Sequence, residues 1–240
     1  MDSGIILNQV GFSVQGKVIL HEISLSLTGR RIAIIGRNGS GKTTLLRLMA
    51  GLMAPTSGTV RVAGLDPAAE RKAMLRGIGI LFQNPDHQII FPTVEEELAF
   101  GLRQMGMNAK EAGARVLAML RTEGRAHWAS APVSSLSQGQ RQWLCLMAVL
   151  LMEPETLLLD EPFAALDLPT QARLQRRMSQ LDQRVVTISH DPATVIDCDH
   201  VVWIENGRVA AEGVPAEVLP AFKDEMDRLG LRDADTDLAG

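Results

Sequence analysis

A chain of 240 residues that is 46% hydrophobic can bury a substantial core, as one or two closely packed globular units, and is not a disordered protein. Its formal net charge of −4, with acids and bases interspersed and only short basic stretches at Arg30-Arg31 and Arg173 to Arg177, argues against a dedicated nucleic-acid binder. Cys145 and Cys198 lack C-x-x-C spacing and read as buried reduced thiols in a reducing, cytoplasmic compartment.

Met1 to Asn8 has neither the basic start nor the cleavage site of a signal peptide. The longest apolar run, Trp143 to Met152, falls short of the ~18 residues of a membrane span. Any membrane role is therefore expected to be peripheral. His21, His87, His127, His190 and His200 show no H-x-x-x-H or Cys/His pairing, so no transition-metal site is expected.

In chain order, alternation predicts strands at Ile5 to Val10 and Val18 to Leu27, then Arg31 to Ile35 entering a Gly-rich loop. A helix over Thr44 to Leu52 is closed by Gly51 and Pro55, with strands following at Gly58 to Val62 and Gly77 to Phe82. From Thr93 to Met152 the period turns helical, with Val94, Leu98 and Leu102 on one face and Val116 and Leu120 on another. This reads as a helical insertion into an α/β core. Thr156 to Leu159 is wholly apolar, as strands of a parallel sheet are. Thr170 to Leu181 and Pro192 to Cys198 read as helices around the strand Arg184 to Ser189. Asn206-Gly207 is a hairpin signal between Val201 to Ile204 and Arg208 to Ala211. The polar, acidic Lys223 to Gly240 reads as a short helix running into a loose tail. A dimer contact through Met226, Leu229 and Leu231 is the alternative.

The loop Gly36-Arg37-Asn38-Gly39-Ser40-Gly41-Lys42-Thr43 fits G-x-x-x-x-G-K-T between a strand and a helix. Glycines allow positive φ and turn backbone N–H groups inward, forming a phosphate cradle at a helix N-terminus. Lys42 would reach the β- and γ-phosphates, and Thr43 would offer its hydroxyl to Mg²⁺. Leu157-Leu158-Leu159-Asp160-Glu161 supplies the other half, because a buried strand ending in an acid places Asp160 beside the loop to hold Mg²⁺. Glu161 would polarise the attacking water as general base.

Leu136-Ser137-Gln138-Gly139-Gln140 taken alone is an ordinary helix N-cap. With the phosphate loop ahead and Asp160-Glu161 behind, the chain from about Ile5 to Gly213 resembles the ATP-binding cassette (ABC) ATPases, whose signature is LSGGQ. The resemblance implies an α/β P-loop NTPase fold with an antiparallel β subdomain and a helical subdomain. The cassette would occupy 1–222, with its core at 1–85 and 153–222, the helical subdomain at about 86–152 and a C-terminal tail at 223–240. It also implies Gln83 as the Q-loop glutamine touching Mg²⁺ or the attacking water, and His190 as the switch histidine. Ala164 to Asp167 would be the D-loop. ATP and Mg²⁺ are the implied cofactors. Glu161, His190 and Gln83 would be catalytic, with Thr43, Gln83 and Asp160 around the metal. Nucleotide binding would fall to Gly36, Asn38, Gly39, Ser40, Gly41, Lys42, Thr43 and Thr44, joined by Val14, Ser137, Gly139, Gln140 and Asp167. Ser137 and Gly139 would act on the γ-phosphate held by a second, head-to-tail copy.

Three positions depart from the family pattern. Gln138 replaces the first signature glycine, and Ala165 replaces the usual D-loop serine. The chain has no tyrosine, and Val14 stands where relatives place the aromatic that stacks on adenine, with Phe12 as a partial substitute on the same strand face. Loose base selectivity is the consequence, with GTP expected to bind within about tenfold of ATP.

Phe82-Gln83-Asn84-Pro85-Asp86-His87-Gln88 and Pro92-Thr93-Val94-Glu95-Glu96-Glu97 closely resemble energy-coupling factor (ECF) transporter ATPases, with Asp86 and Thr93 as expected N-caps. The resemblance implies a transmembrane scaffold docking near Asn84 to Val94, a separate substrate-binding membrane protein and a place on the cytoplasmic face of the membrane. No nucleic-acid partner is implied. A dedicated biotin system is favoured over one for cobalt or nickel ions. Because every catalytic position is filled, a homodimer with two working sites is expected, a heterodimer with a paralogue being the alternative.

Overall fold

A computed structural model describes residues 4–164 and 166–230. In chain order the elements begin with strands β1 (Ile5–Val14), β2 (Lys17–Leu27) and β3 (Arg31–Ile35), helix α1 (Lys42–Met49), strand β4 (Ser57–Val62), helix α2 (Arg71–Gly77) and strand β5 (Ile78–Leu81). Three helices follow, α3 (Val94–Gln104), α4 (Ala109–Thr122) and α5 (Gln138–Leu151). The chain then forms β6 (Thr156–Asp160), α6 (Leu168–Ser179), β7 (Arg184–Ile188), β8 (His200–Glu205), β9 (Arg208–Gly213) and α7 (Pro215–Gly230).

These strands make two sheets. One is a three-stranded antiparallel sheet ordered β2-β1-β4; the other is six-stranded, ordered β5-β6-β7-β3-β8-β9, and parallel except for the β8–β9 hairpin. β6 is buried along its whole length, and Leu157, Leu158 and Leu159 have no exposed surface. Each such leucine contributes roughly 1.5–3 kcal/mol by leaving water, so this strand anchors the sheet whose C-terminal edge carries Asp160. The hairpin turn has Asn206 and Gly207 both at positive φ, the conformation that matches strand twist.

The helical region packs as its periodicity predicts. Val94, Leu98 and Leu102 of α3 and Ala112, Val116 and Leu120 of α4 are buried in one cluster with the apolar face of α5. Thr93, Asn108, Ser137 and Asp167 each accept a hydrogen bond from the backbone N–H three residues on, stabilising its helix start by about 1 kcal/mol.

Several elements differ from the sequence expectation. The helix expected at Pro192 to Cys198 is one 3₁₀ turn, Pro192–Thr194, because Asp191 satisfies the N–H of Ala193 and no further apolar face repeats. Helix α2 went unrecognised; only Met74 of it is buried, too little to make a periodic signal. The first helix starts two residues earlier than expected, at Lys42, since Gly41 supplies the left-handed turn into it. Asn84, not Asp86, caps the turn Pro85–His87, and Asp86 instead pairs with Arg141 Nε at 3.0 Å. The boundary expected between 222 and 223 falls inside α7, which Phe222 pins to β8 by edge contact with Trp203 at 5.4 Å. Ala165, Leu231 and the tail from 231 onward lie outside the described residues.

Candidate functional site: a phosphate loop at the sheet edge

Strands β3, β6 and β7 run parallel and end together, so their C-terminal loops meet at one edge. The loop after β3 enters α1. Gly36 there is required by close approach, since an added Cβ would stand 2.1 Å from the carbonyl oxygen of Ile204. The same hairpin braces the loop from the other side: Gly207 donates its N–H to Ser40 O at 3.0 Å and accepts from His21 N at 2.8 Å. The Lys42 ammonium is buried and donates to the carbonyls of Gly36 and Arg37, each at 2.8 Å. Burial lowers its pKa, against the attraction of Glu161, Asp160 and Glu205.

Thr43 donates its hydroxyl to Asp160 Oδ1 at 3.2 Å, joining the start of α1 to the end of β6. Burial raises the pKa of Asp160, and the bond from Thr43 only partly offsets this. A buried carboxylate beside a hydroxyl is a hard-oxygen pair suited to a divalent cation, whose charge would relieve that burial cost. The next residue, Glu161, sits at φ 46°, a left-handed conformation costing a non-glycine residue of order 1 kcal/mol. Its N–H, bonded to Ile188 O at 3.1 Å, holds it there. The turn directs its carboxylate between two loops: Oε2 accepts from Gln83 Nε2 at 3.2 Å and lies 3.1 Å from His190 Nδ1.

These groups surround a cavity of about 810 Å³. Asn38, Gly39, Gly41, Lys42, Thr43, Thr44, Gln83, Glu161 and His190 line it, whereas Gly36 does not. Ser40 sits behind the lining, its side chain buried, and Asp160 lies below through Thr43. Ser137, Gly139, Gln140 and Asp167 do not line it. Ser137 and Gln140 instead close a capping box at the start of α5: Ser137 N–H donates to Gln140 Oε1 at 2.7 Å, and Gln140 N–H to Ser137 Oγ at 3.3 Å.

The expected sharing of one strand face by Phe12 and Val14 changes. Phe12 is 8% exposed and belongs to the core under β1, whereas Val14 is 46% exposed, because register irregularities around Val10, Phe12 and Ser13 break the alternation that put them on one face. Val14 is absent from the cavity lining, and Ile19 of β2 supplies an apolar wall instead. Nothing in the alternating pattern of β2 marks Ile19; its position depends on Gly207 lying against its carbonyl. Gln171, Ser189, Asp191 and Thr194 also line the cavity unannounced by a motif.

A buried lysine, a hydroxyl–carboxylate pair and a glutamate aimed between a glutamine and a histidine define a P-loop nucleoside-triphosphate hydrolase. The sequence profile of the ABC transporter family matches residues 20–164. The chain belongs to that family and is an ATPase. It is similar to the biotin transport ATP-binding protein BioM of Rhodobacter capsulatus, 49% identical over 223 residues covering 93% of this chain and 95% of the relative. Among solved structures it resembles cbiO1 from Clostridium perfringens, part of the ABC transporter complex cbiONQ, with TM-score 0.79, 30% identity and 98% and 97% of the two chains covered. A dimeric post-hydrolysis structure of the ATP-binding cassette MJ0796 bound to ADP and Pi aligns with TM-score 0.77, 25% identity and coverage of 88% and 98%. Among the described residues no helix is long and apolar enough to cross a membrane.

Proposed function

We propose that this chain is the energy-coupling ATPase of an ECF-type importer and that the imported vitamin is biotin. The observation that carries the biotin reading is the 49% identity to a biotin transport ATP-binding protein over nearly the full length of both chains.

In this reading the loop amides and Lys42 hold the phosphates, and the Glu161 carboxylate polarises a water for attack on the γ-phosphate. Gln83 and His190 hold that carboxylate from two sides. Thr43 and Asp160, with Gln83, would hold a magnesium ion, which supplies charge neutralisation at the phosphates when bound. The site of one copy is completed by Ser137 and Gly139 of a second, whose exposed helix start offers backbone N–H groups to an anion.

The docking surface for a transmembrane scaffold is assigned to Asn84 to Val94. Ile90 is 68% exposed there, while the segment around it is held rigidly: buried Glu97 accepts from Ile90 N at 2.8 Å and Phe91 N at 2.9 Å, and Gln88 accepts from Phe82 N at 3.1 Å. Movement of Gln83 can therefore pass to that surface with little loss. The chain would act peripherally, at the cytoplasmic face of the cell membrane, beside a substrate-binding membrane protein. Affinity purification from membranes of the native host tests this. A scaffold co-purifying with a biotin-binding membrane protein is expected; co-purification with a cobalt- or nickel-binding protein would overturn the cargo.

A further inference from the structure

Strand β7 gives way at Ser189 to the turn that carries His190. Ser189 donates its N–H to Ile34 O at 3.1 Å, and Glu161 donates to Ile188 O, also at 3.1 Å, so the backbones of histidine and glutamate hang from one strand end. The imidazole itself is held by little. Its side chain is 58% exposed, and among the described residues Glu161 Oε2 is its only hydrogen-bonding or ion-pair partner. Where the ring points is therefore set by the main chain on either side of it.

On that main chain three hydrogen bonds form a closed cycle. Asp191 donates its N–H to Ser189 Oγ at 3.0 Å, the hydroxyls of Ser189 and Thr194 lie 2.8 Å apart, and Thr194 donates to Asp191 O at 2.8 Å. Ser189 Oγ stands farther from that carbonyl, at 3.2 Å. One placement of the protons satisfies all three short bonds, with Ser189 donating to Thr194 and Thr194 to the carbonyl. Each hydroxyl then both gives and accepts, so each bond polarises the next.

The sequence builds this cycle locally. Pro192 keeps Asp191 extended, at φ −103° and ψ 108°. Asp191 Oδ1 accepts from Ala193 N at 2.9 Å, starting the 3₁₀ turn that brings Thr194 back to Ser189. Ser189 is buried, and both hydroxyl-bearing residues line the nucleotide cavity.

We propose that the hydroxyl cycle of Ser189 and Thr194 through Asp191 is the positioning device of His190. It fixes the peptide groups on both sides of Asp191 and so holds the imidazole against Glu161. Ser189 and Thr194 act through His190, with no contact to the nucleotide required. Their effect on turnover rests on the reading of Glu161 as general base given above. A misaimed base loses rate and not ground-state affinity, so loosening the cycle lowers kcat and spares KM.

Thr194→Val keeps the shape and removes one hydroxyl, whereas Thr194→Ser keeps the hydroxyl. In Thr194→Val, kcat for ATP is expected to fall about tenfold with KM within about twofold, and Thr194→Ser should return it to near the parent value. Ser189→Ala, which breaks the cycle at its other hydroxyl, should repeat the loss. A second readout needs no turnover: imidazole resonances of the nucleotide-free chain, with the His190 signals assigned by their loss in His190→Ala. Adding Glu161→Gln should move those signals in the parent and leave them nearly still in Thr194→Val. An equal movement in both, an unchanged kcat, a raised KM with kcat kept, or a loss that Thr194→Ser fails to mend overturns the proposal. Full turnover by His190→Ala would instead overturn the catalytic reading, with the resonances still deciding the placement of the ring.

Discussion

Nδ1 of His190 lies 3.1 Å from Oε2 of Glu161, the same oxygen that accepts from Gln83 Nε2. One carboxylate oxygen therefore joins the loops after β5 and β7 to the end of β6. On the proposed reading of Glu161 as the base, a proton acceptor held this way is aimed before any water arrives, which is how positioned general bases act.

Replacing Glu161 by Gln keeps the shape and removes the basic oxygen. ATP turnover should fall by about 10²–10⁴-fold, with ATP affinity close to that of the parent. Steady-state hydrolysis and equilibrium binding measure the two quantities. Undiminished turnover would remove Glu161 from the role of base.

Burial raises the pKa of Asp160, so the folded chain holds that proton more tightly than the unfolded one. This component of stability is therefore intact below the ordinary carboxylate pKa and is lost as pH rises through the raised value. Asp160→Asn without nucleotide should melt at a higher temperature than the parent at pH 8, the gap closing toward pH 4, and should lose turnover. A lower melting temperature for Asp160→Asn at pH 8 would contradict the burial argument.

Aliphatic Ile19 lines the cavity, no aromatic of β1 or β2 does, and Phe12 is committed to the core. GTP should therefore compete with ATP at affinities within about tenfold, since stacking on an aromatic, worth ~1–3 kcal/mol, is missing. Competition binding decides this, and a much larger preference for ATP would count against it.

Gly207 stands at φ 70°, and an added Cβ would lie 2.1 Å from the carbonyl oxygen of Ile19. Gly207→Ala must displace the hairpin that donates to Ser40 O. A loss of about 1–3 kcal/mol in chemical denaturation is expected, with weakened ATP binding. Unchanged affinity would show that the loop keeps its shape without the brace.

Gly36 to Thr43 and Asp160-Glu161, which the fold brings to one sheet edge, were legible in the linear chain because phosphate binding demands particular residue types at short, local spacing. Apolar β6 and the periodic faces of α3 and α4 were legible for the same local reason. Ile19 was not, since an isoleucine in an alternating strand looks like any core residue until Gly207 fixes its carbonyl. Phe12 and Val14 were misplaced because the register breaks in β1 arise from pairing with β2 and β4. The contact of Glu161 with Gln83 and His190 spans 78 and 29 positions, and only the parallel order β5-β6-β7-β3 brings those loops to one edge. Residue chemistry and near-neighbour spacing named the parts of the phosphate site. Long-range strand pairing set their mutual geometry, and it placed α7 beside the phosphate loop, where no local pattern could have put it.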